Sequence, residues 1–173
     1  MNYQHIDLSK LKYEVVSSPA HIKITYGNSK TKFVINTPEM TVPFGIDSVY
    51  DKYYLKLQFD NYKENIEMDG FFNTLMLVEQ HMEDFIEEQI EGDNILNCEF
   101  NFKEKFEPSI NVKLASYGKK IQTKIVGSNG SELNYWDVKK GSKVKCQMEL
   151  TGIWKIKDKF YYKWNVLQIN IVN

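Results

Sequence analysis

The sequence predicts a mainly β fold with one long α-helix, a partly open antiparallel barrel or sandwich formed as a single domain over residues 1–173. Three observations predict it. About eight or nine short segments carry strand composition or period-two alternation. One segment, Asp69 to Ile90, repeats its apolar residues at three- and four-residue steps. Helical and strand patterns do not alternate regularly, which argues against a parallel sheet built from βαβ units. With 42% hydrophobic and 14% aromatic residues, a chain of this length can bury a real core.

Lys12 to Val16 and His21 to Tyr26 are rich in β-forming residues, and Gly27-Asn28-Ser29 is turn chemistry before Lys32-Phe33-Val34-Ile35. Thr37 to Gly45 carries Pro38 and Pro43 and reads as an extended connector or edge segment. Tyr53, Leu55, Leu57 and Phe59 then share one face of a half-buried strand, with Lys52, Lys56 and Gln58 opposite. In the helix, Phe71, Leu75, Val78, Met82, Phe85 and Ile86 form the apolar stripe; Asp69 is the expected N-cap and Gly92 the expected stop. Leu96 to Lys103 reads as a strand. Ile110 to Tyr117 and Ile121 to Val126 read as a hairpin around Gly118-Lys119-Lys120. Tyr135 to Val138 suggests a short helical turn. Val144, Cys146, Met148 and Leu150 alternate with polar residues, and Lys157-Asp158-Lys159 turns the chain into Tyr161 to Val172. The chain is thus expected to close on a long antiparallel hairpin.

Charge is unevenly distributed. The formal net charge is −1, but residues 64–107 hold 13 acids against 2 lysines, and residues 108–173 hold 12 lysines against 4 acids. An overall balance near zero can therefore conceal one basic surface and one acidic surface. The predicted helix, about residues 69–91, carries Glu79, Glu83, Asp84, Glu87, Glu88 and Glu91. That face is either simply solvated or a surface that repels DNA or binds a partner. All 22 cationic residues are lysine. Lysine meets a phosphate as a point charge but lacks the planar fork with which arginine reads guanine, so sequence-independent backbone contact is the chemistry it favours. Abundant lysine, asparagine, isoleucine, tyrosine and phenylalanine point to an A/T-rich coding sequence.

Catalytic signatures are scarce. Glycines number 9 and fall at neither Walker-type nor dinucleotide-binding spacing, and no Gly-x-Ser-x-Gly elbow occurs. His5, His21 and His81 are scattered, which argues against a metal site, and no cofactor is expected. Cys98 and Cys146 both fall in strand-like patterns and read as buried free thiols. No apolar run approaches a membrane span, and the N-terminal MNYQHIDLSKLKYE lacks the layout of a signal peptide. A soluble, intracellular, non-enzymatic protein is expected.

The basic, aromatic region 108–173 carries the functional signal. Lysines supply charge for phosphates and rings supply flat surfaces for bases, the pairing that a single-stranded nucleic-acid groove requires. The candidates for phosphate contact are Lys113, Lys119, Lys120, Lys124, Lys145, Lys155 and Lys163; those for stacking are Tyr117, Trp136, Trp154, Tyr161 and Trp164. Because neighbours on a strand face opposite ways, Tyr162 and Trp164 share one side and Tyr161 and Lys163 the other. Only one of those sets can be core.

Several segments together resemble viral single-stranded DNA-binding proteins of the phage T7 type and their proposed relatives in nucleocytoplasmic large DNA viruses. They are Thr37-Pro38 through Val42-Pro43-Phe44-Gly45-Ile46 into Tyr53-Tyr54-Leu55-Lys56-Leu57, the long helix, Pro108-Ser109-Ile110-Asn111-Val112-Lys113-Leu114, Gly141-Ser142-Lys143-Val144, and Phe160 to Ile171. The resemblance spans roughly residues 35–172. It implies an OB-like barrel with an inserted helix, non-specific binding of single-stranded DNA, and a role in replication, recombination or repair at the viral replication site. It departs at the C-terminus, because T7-type proteins end in an acidic tail that contacts replication partners, whereas residues 168–173 are QINIVN. Either the acidic helix takes that role or an acidic tail lies beyond this sequence.

Single-stranded DNA is accordingly the expected partner, with replication proteins contacted through the acidic helix, no membrane, and a homodimer permitted by open strand edges. The alternative is a virion or assembly module that uses the acidic helix and strand edges for protein contacts.

Overall fold

The computed structural model describes residues 1–16, 21–90, 95–103, 105–117 and 120–172. After two short 3-10 turns at Tyr3–His5 and Leu8–Lys10, the strands β1 (Leu11–Val16), β2 (His21–Tyr26), β3 (Phe33–Asn36), β4 (Met40–Thr41), β5 (Ile46–Val49) and β6 (Lys52–Gln58) precede the helix α1 (Ile66–Gln89). Beyond it come β7 (Ile95–Asn97), β8 (Phe100–Lys103) and β9 (Phe106–Leu114), then β10 (Ser116–Tyr117), β11 (Lys120–Ile121) and β12 (Lys124–Val126). A 3-10 turn at Tyr135–Asp137 leads to the long hairpin of β13 (Lys143–Ile156) and β14 (Lys159–Ile171).

Hydrogen bonding runs β13–β4–β6–β9–β14 and returns from β14 to β13, so five strands form a ring. The ring is thin in two places. β4 and β6 share the single pair Thr41–Gln58, and β9 meets β14 through only Asn165–Lys113 and Val166–Leu114. It is an OB-like, partly open barrel, as the sequence predicts, with β1 and β2 extending it beyond β13. Thr37 to Gly45 contributes β4 to the ring itself, so this segment is more than a connector.

Period-two patterning explains the interior. Leu55 and Leu57 from β6, Ile110, Val112 and Leu114 from β9, Val144, Cys146, Met148 and Leu150 from β13, and Tyr162, Trp164 and Val166 from β14 are all buried. The helix adds Phe71, Leu75, Val78, Met82 and Ile86 to the same core. Its cap lies one turn earlier than Asp69: the Asn65 carboxamide accepts from the amides of Glu67 and Met68, while Asp69 accepts from Asn73 on the exposed first turn. An asparagine side chain at that position satisfies donors the helix cannot satisfy itself, which moves the start forward. Gly92 lies outside the described residues.

Three further expectations are corrected. The 110–126 region is no long hairpin: β10 and β11 pair over two residues only, and β12 runs parallel to β14. Ala115 and Thr123 fix that departure, since the Thr123 hydroxyl accepts from the Ala115 amide and donates to the Val166 carbonyl. The barrel is not purely antiparallel either, because β7, β9 and β12 each run parallel to β14. Leu96 to Lys103 divides into two strands, and Cys98, between them, is exposed rather than buried.

One polar contact ties the helix to the barrel. Glu79, 5% exposed, accepts from the Tyr162 hydroxyl, and the Cys98 thiol lies 3.7 Å from the same carboxylate. Burial and the adjacent carboxylate raise the Tyr162 pKa, so that phenol stays a donor. Tyr162→Phe should therefore destabilise the fold by about 1–3 kcal/mol, because it leaves a buried carboxylate short of a donor; urea unfolding measures this.

A second weak point for substitution is Gly152, where β13 shifts register between Leu150 and Ile153. A Cβ there would lie 2.5 Å from both the Ile22 carbonyl oxygen and His21 Nε2. Gly152→Ala should cost about 1–3 kcal/mol through forced separation of β2 from β13, seen as a lowered unfolding midpoint.

Candidate nucleic-acid interface

The outer surface of β6, β9 and β14 gathers the side chains that the same alternation keeps out of the core. Tyr54 on β6 stands opposite Lys113 on β9, which in turn stands opposite Asn165 on β14. The next row along places Lys56 opposite Asn111, and the one after it Gln58 opposite Ser109 and then Asn101 on β8. Lys163 reaches across from β14, its ammonium 5.6 Å from the centre of the Tyr54 ring. The same Nζ donates to Glu99 at 2.5 Å, so part of its charge is already engaged. Lys56 Nζ lies 5.5 Å from the ring centre of Phe44, which is 70% exposed in the loop before β5. Cation–ring contacts of this kind hold long lysine chains over flat surfaces without removing the charge from water.

The other predicted residues are spread more widely. Trp154 and Tyr161 face each other in register near the tip of the β13–β14 hairpin, and Lys155, between them and the turn, lies 5.2 Å from the Phe160 ring. Trp154 stacks on His21 with centroids 4.9 Å apart and planes 7° from parallel, so one of its faces is occupied. Tyr117 is 84% exposed at the end of β10, opposite Lys120 on β11. Lys124 is exposed on β12. Trp136 is exposed on its 3-10 turn, set edge-on to Tyr135 at 5.0 Å. Lys145 projects from β13 into a separate depression with Asp60 and Asn65, at the N-terminal end of the helix. Lys119 lies outside the described residues.

Trp164 requires correction. It is 1% exposed, packed 5.7 Å from the Phe33 ring inside the barrel, and no base can reach it. Parity decides this: Tyr162 and Trp164 take the interior and leave Tyr161 and Lys163 outside.

Reading the C-terminal third alone missed Phe44, Tyr54, Lys56, Asn101 and Asn111. The signal for Tyr54 was present, since alternation over 52–58 puts it on the same side as Lys52 and Lys56. Phe44 carries no comparable signal, because an aromatic residue after a proline says nothing about which strand it will face.

Burial pushes the Cys146 thiol up to about 12, and partial desolvation with the adjacent Glu79 carboxylate lifts that of Cys98 to about 11, which leaves neither as a ready nucleophile. Among the described residues, no three His, Cys, Asp or Glu side chains form a group able to hold a metal ion. No helix among them is long and apolar enough to cross a membrane.

Comparison with known proteins gives no match to a protein-family profile and none to a curated protein sequence. Solved structures do match. The single-stranded DNA-binding protein of bacteriophage Enc34 superposes with a TM-score of 0.51 at 11% identity, covering 95% of this chain and 90% of that one. The same protein in complex with single-stranded DNA gives 0.53 at 10% identity, covering 94% of each. The single-stranded DNA-binding protein gp2.5 of bacteriophage T7 gives 0.51 at 16% identity, covering 82% of this chain and 92% of that one. The OB-like barrel of this chain, with its helix inserted between the strands β6 and β9, has the fold of phage single-stranded DNA-binding proteins.

Proposed function

We propose that this chain binds single-stranded DNA without sequence specificity, along the outer face of β6, β9 and β14, and acts without catalysis in viral DNA replication, recombination or repair at the replication site of the infected cell. One observation carries the reading. In OB barrels, oligonucleotides are bound by the second and third strands and the loops beside them, and here those strands are β6 and β9. That face presents Lys56, Lys113 and Lys163 around Tyr54. The fold shared with phage proteins that bind single-stranded DNA, one of them solved with it, supports the same ligand.

The roles divide by chemistry. Lys56, Lys113 and Lys163 contact phosphates; Tyr54, and Tyr161 with the free side of Trp154 towards the hairpin tip, stack bases. Lys155 supplies charge beside that tip. Tyr117 with Lys120 and Lys124, and more distantly Trp136 and Lys145, serve a strand that continues around the barrel. The acidic residues of α1 keep nucleic acid off the opposite side and offer replication proteins a docking surface.

Tryptophan fluorescence titrated with oligo-dT of about 30 nucleotides should show quenching. With about five phosphates engaged, the slope of log affinity against log salt should be roughly −3 to −4. Duplex DNA should compete poorly. Flat salt dependence, or no binding at low salt, would favour a protein-interaction module instead.

Lys113→Ala should weaken binding and make the salt slope shallower by about 0.7. Lys163→Ala should do less, because its ion pair with Glu99 already offsets part of the charge. Equal effects from the two substitutions would contradict this ranking.

A further inference from the structure

A second aromatic surface lies beside the barrel face, built by the adjoining ends of β8 and β9 with Phe44 from the loop before β5. Phe44 is 70% exposed, Phe102 56% and Phe106 73%. Leaving a phenylalanine side chain in water forgoes about 1.5–3 kcal/mol of burial, so three such rings around adjoining depressions call for an explanation. One depression, of about 180 Å³, is lined by Phe44, Lys56, Asn101, Lys103 and Phe106 among others. The neighbouring one, about 630 Å³, shares Lys103 and Phe106 and adds Tyr62, Lys63, Phe102 and Lys105.

Phe102 is held against the core. Phe102 stacks on Phe100 at 5.9 Å and 21°, Phe100 lies 5.9 Å from Phe59, and Phe59 is fully buried. A row of aromatic rings therefore runs from the core to the surface and ends in an exposed face of fixed orientation. Phe106 stands opposite Lys103 in the β8–β9 register. Among the described residues that line the two depressions, Lys56, Lys63, Lys103 and Lys105 outnumber Glu64 and Glu107.

The position is continuous with the barrel face. Lys56 belongs both to that face and to the smaller depression, and from Lys113 to Ser109 along β9 is about 13 Å at strand spacing. Rings at low entropic cost, cations between them and an open groove fit unpaired bases joined by phosphates better than they fit an apolar protein segment.

We infer that the adjoining ends of β8 and β9 form a second base-stacking site for the same single strand, with Phe106 and Phe102 as its platforms and Lys103 and Lys105 as its phosphate contacts. The strand leaves the β6–β9 face past Lys56 and Phe44 and turns over this site. The inference rests on the proposed binding of single-stranded DNA.

Fluorescence anisotropy with labelled dT oligomers, of about 12 and about 30 nucleotides, tests it in the intact chain. Phe106→Ala should raise Kd about 5- to 150-fold, the range of one lost stack, with an unchanged salt slope. Phe106→Trp should restore affinity and add a quenching signal, which a purely structural role would not produce. Lys103→Ala with Lys105→Ala should instead flatten the slope by about 1.4, or 0.7 per lysine. Wild-type affinity in Phe106→Ala and in Phe102→Ala, with wild-type protein binding normally, overturns the second site and leaves the barrel face intact as the interface. Self-association lost in Phe106→Ala without any change in DNA affinity assigns the patch to a second copy and also overturns it. Failure of the wild-type chain to bind any single strand removes both proposals together.

Discussion

Strand β14 hydrogen-bonds with β13, β9, β12 and β7, and almost every other feature depends on which way its side chains point. Phe160, Tyr162, Trp164, Val166, Ile169 and Ile171 point inward and fill the barrel. Tyr161, Lys163 and Asn165 must then face out, where they meet Trp154, Tyr54 and Lys113 from neighbouring strands. A slip of one residue would exchange the two sets and place a lysine in the core, which costs far more than any pairing could return. The break in alternation after Val166 is absorbed by the register shift between Gln147 and Met148, so that Ile169 and Ile171 face inward again.

Much of this architecture was legible in the sequence. The helix stripe, the half-buried strand around Leu55 and Leu57 and the final hairpin follow from apolar period, which depends on local geometry alone. The connections were harder. Whether Ile121 to Val126 folds back on Ile110 to Tyr117 or runs along β14 is decided by Thr123 bonding to Val166, a partner 43 residues away. The sequence pattern holds no trace of that bond. Cys98 was misplaced for a related reason: it lies where one apparent strand divides, next to a glutamate contributed by the helix.

The proposed interface was half legible. Lysines and rings in the C-terminal third stood out by composition, yet closing the barrel set Lys113 and Lys163 beside Tyr54 and Lys56, which come from before the helix. Trp164 looked equivalent to Trp154 by type and differs from it entirely by parity. Composition finds the residues able to bind; only topology says which of them share a surface. The acidic stretch of residues 64–107 follows the same logic, since one of its glutamates, Glu79, is buried as a hydrogen-bond acceptor for Tyr162 rather than displayed.

The thin join between β9 and β14 lies directly beneath the row of Tyr54, Lys113 and Asn165. Two residue pairs, the Ala115 amide donating to the Val166 carbonyl and the bridging Thr123 hydroxyl join its lips there. A polymer laid across that row would grip both lips at once and act as a clasp on the barrel. By mass action, anything that prefers the closed ring stabilises it, so occupancy of the surface and rigidity of the fold become one equilibrium. One of the two thin joins of the ring thus lies where a bound strand would hold it shut.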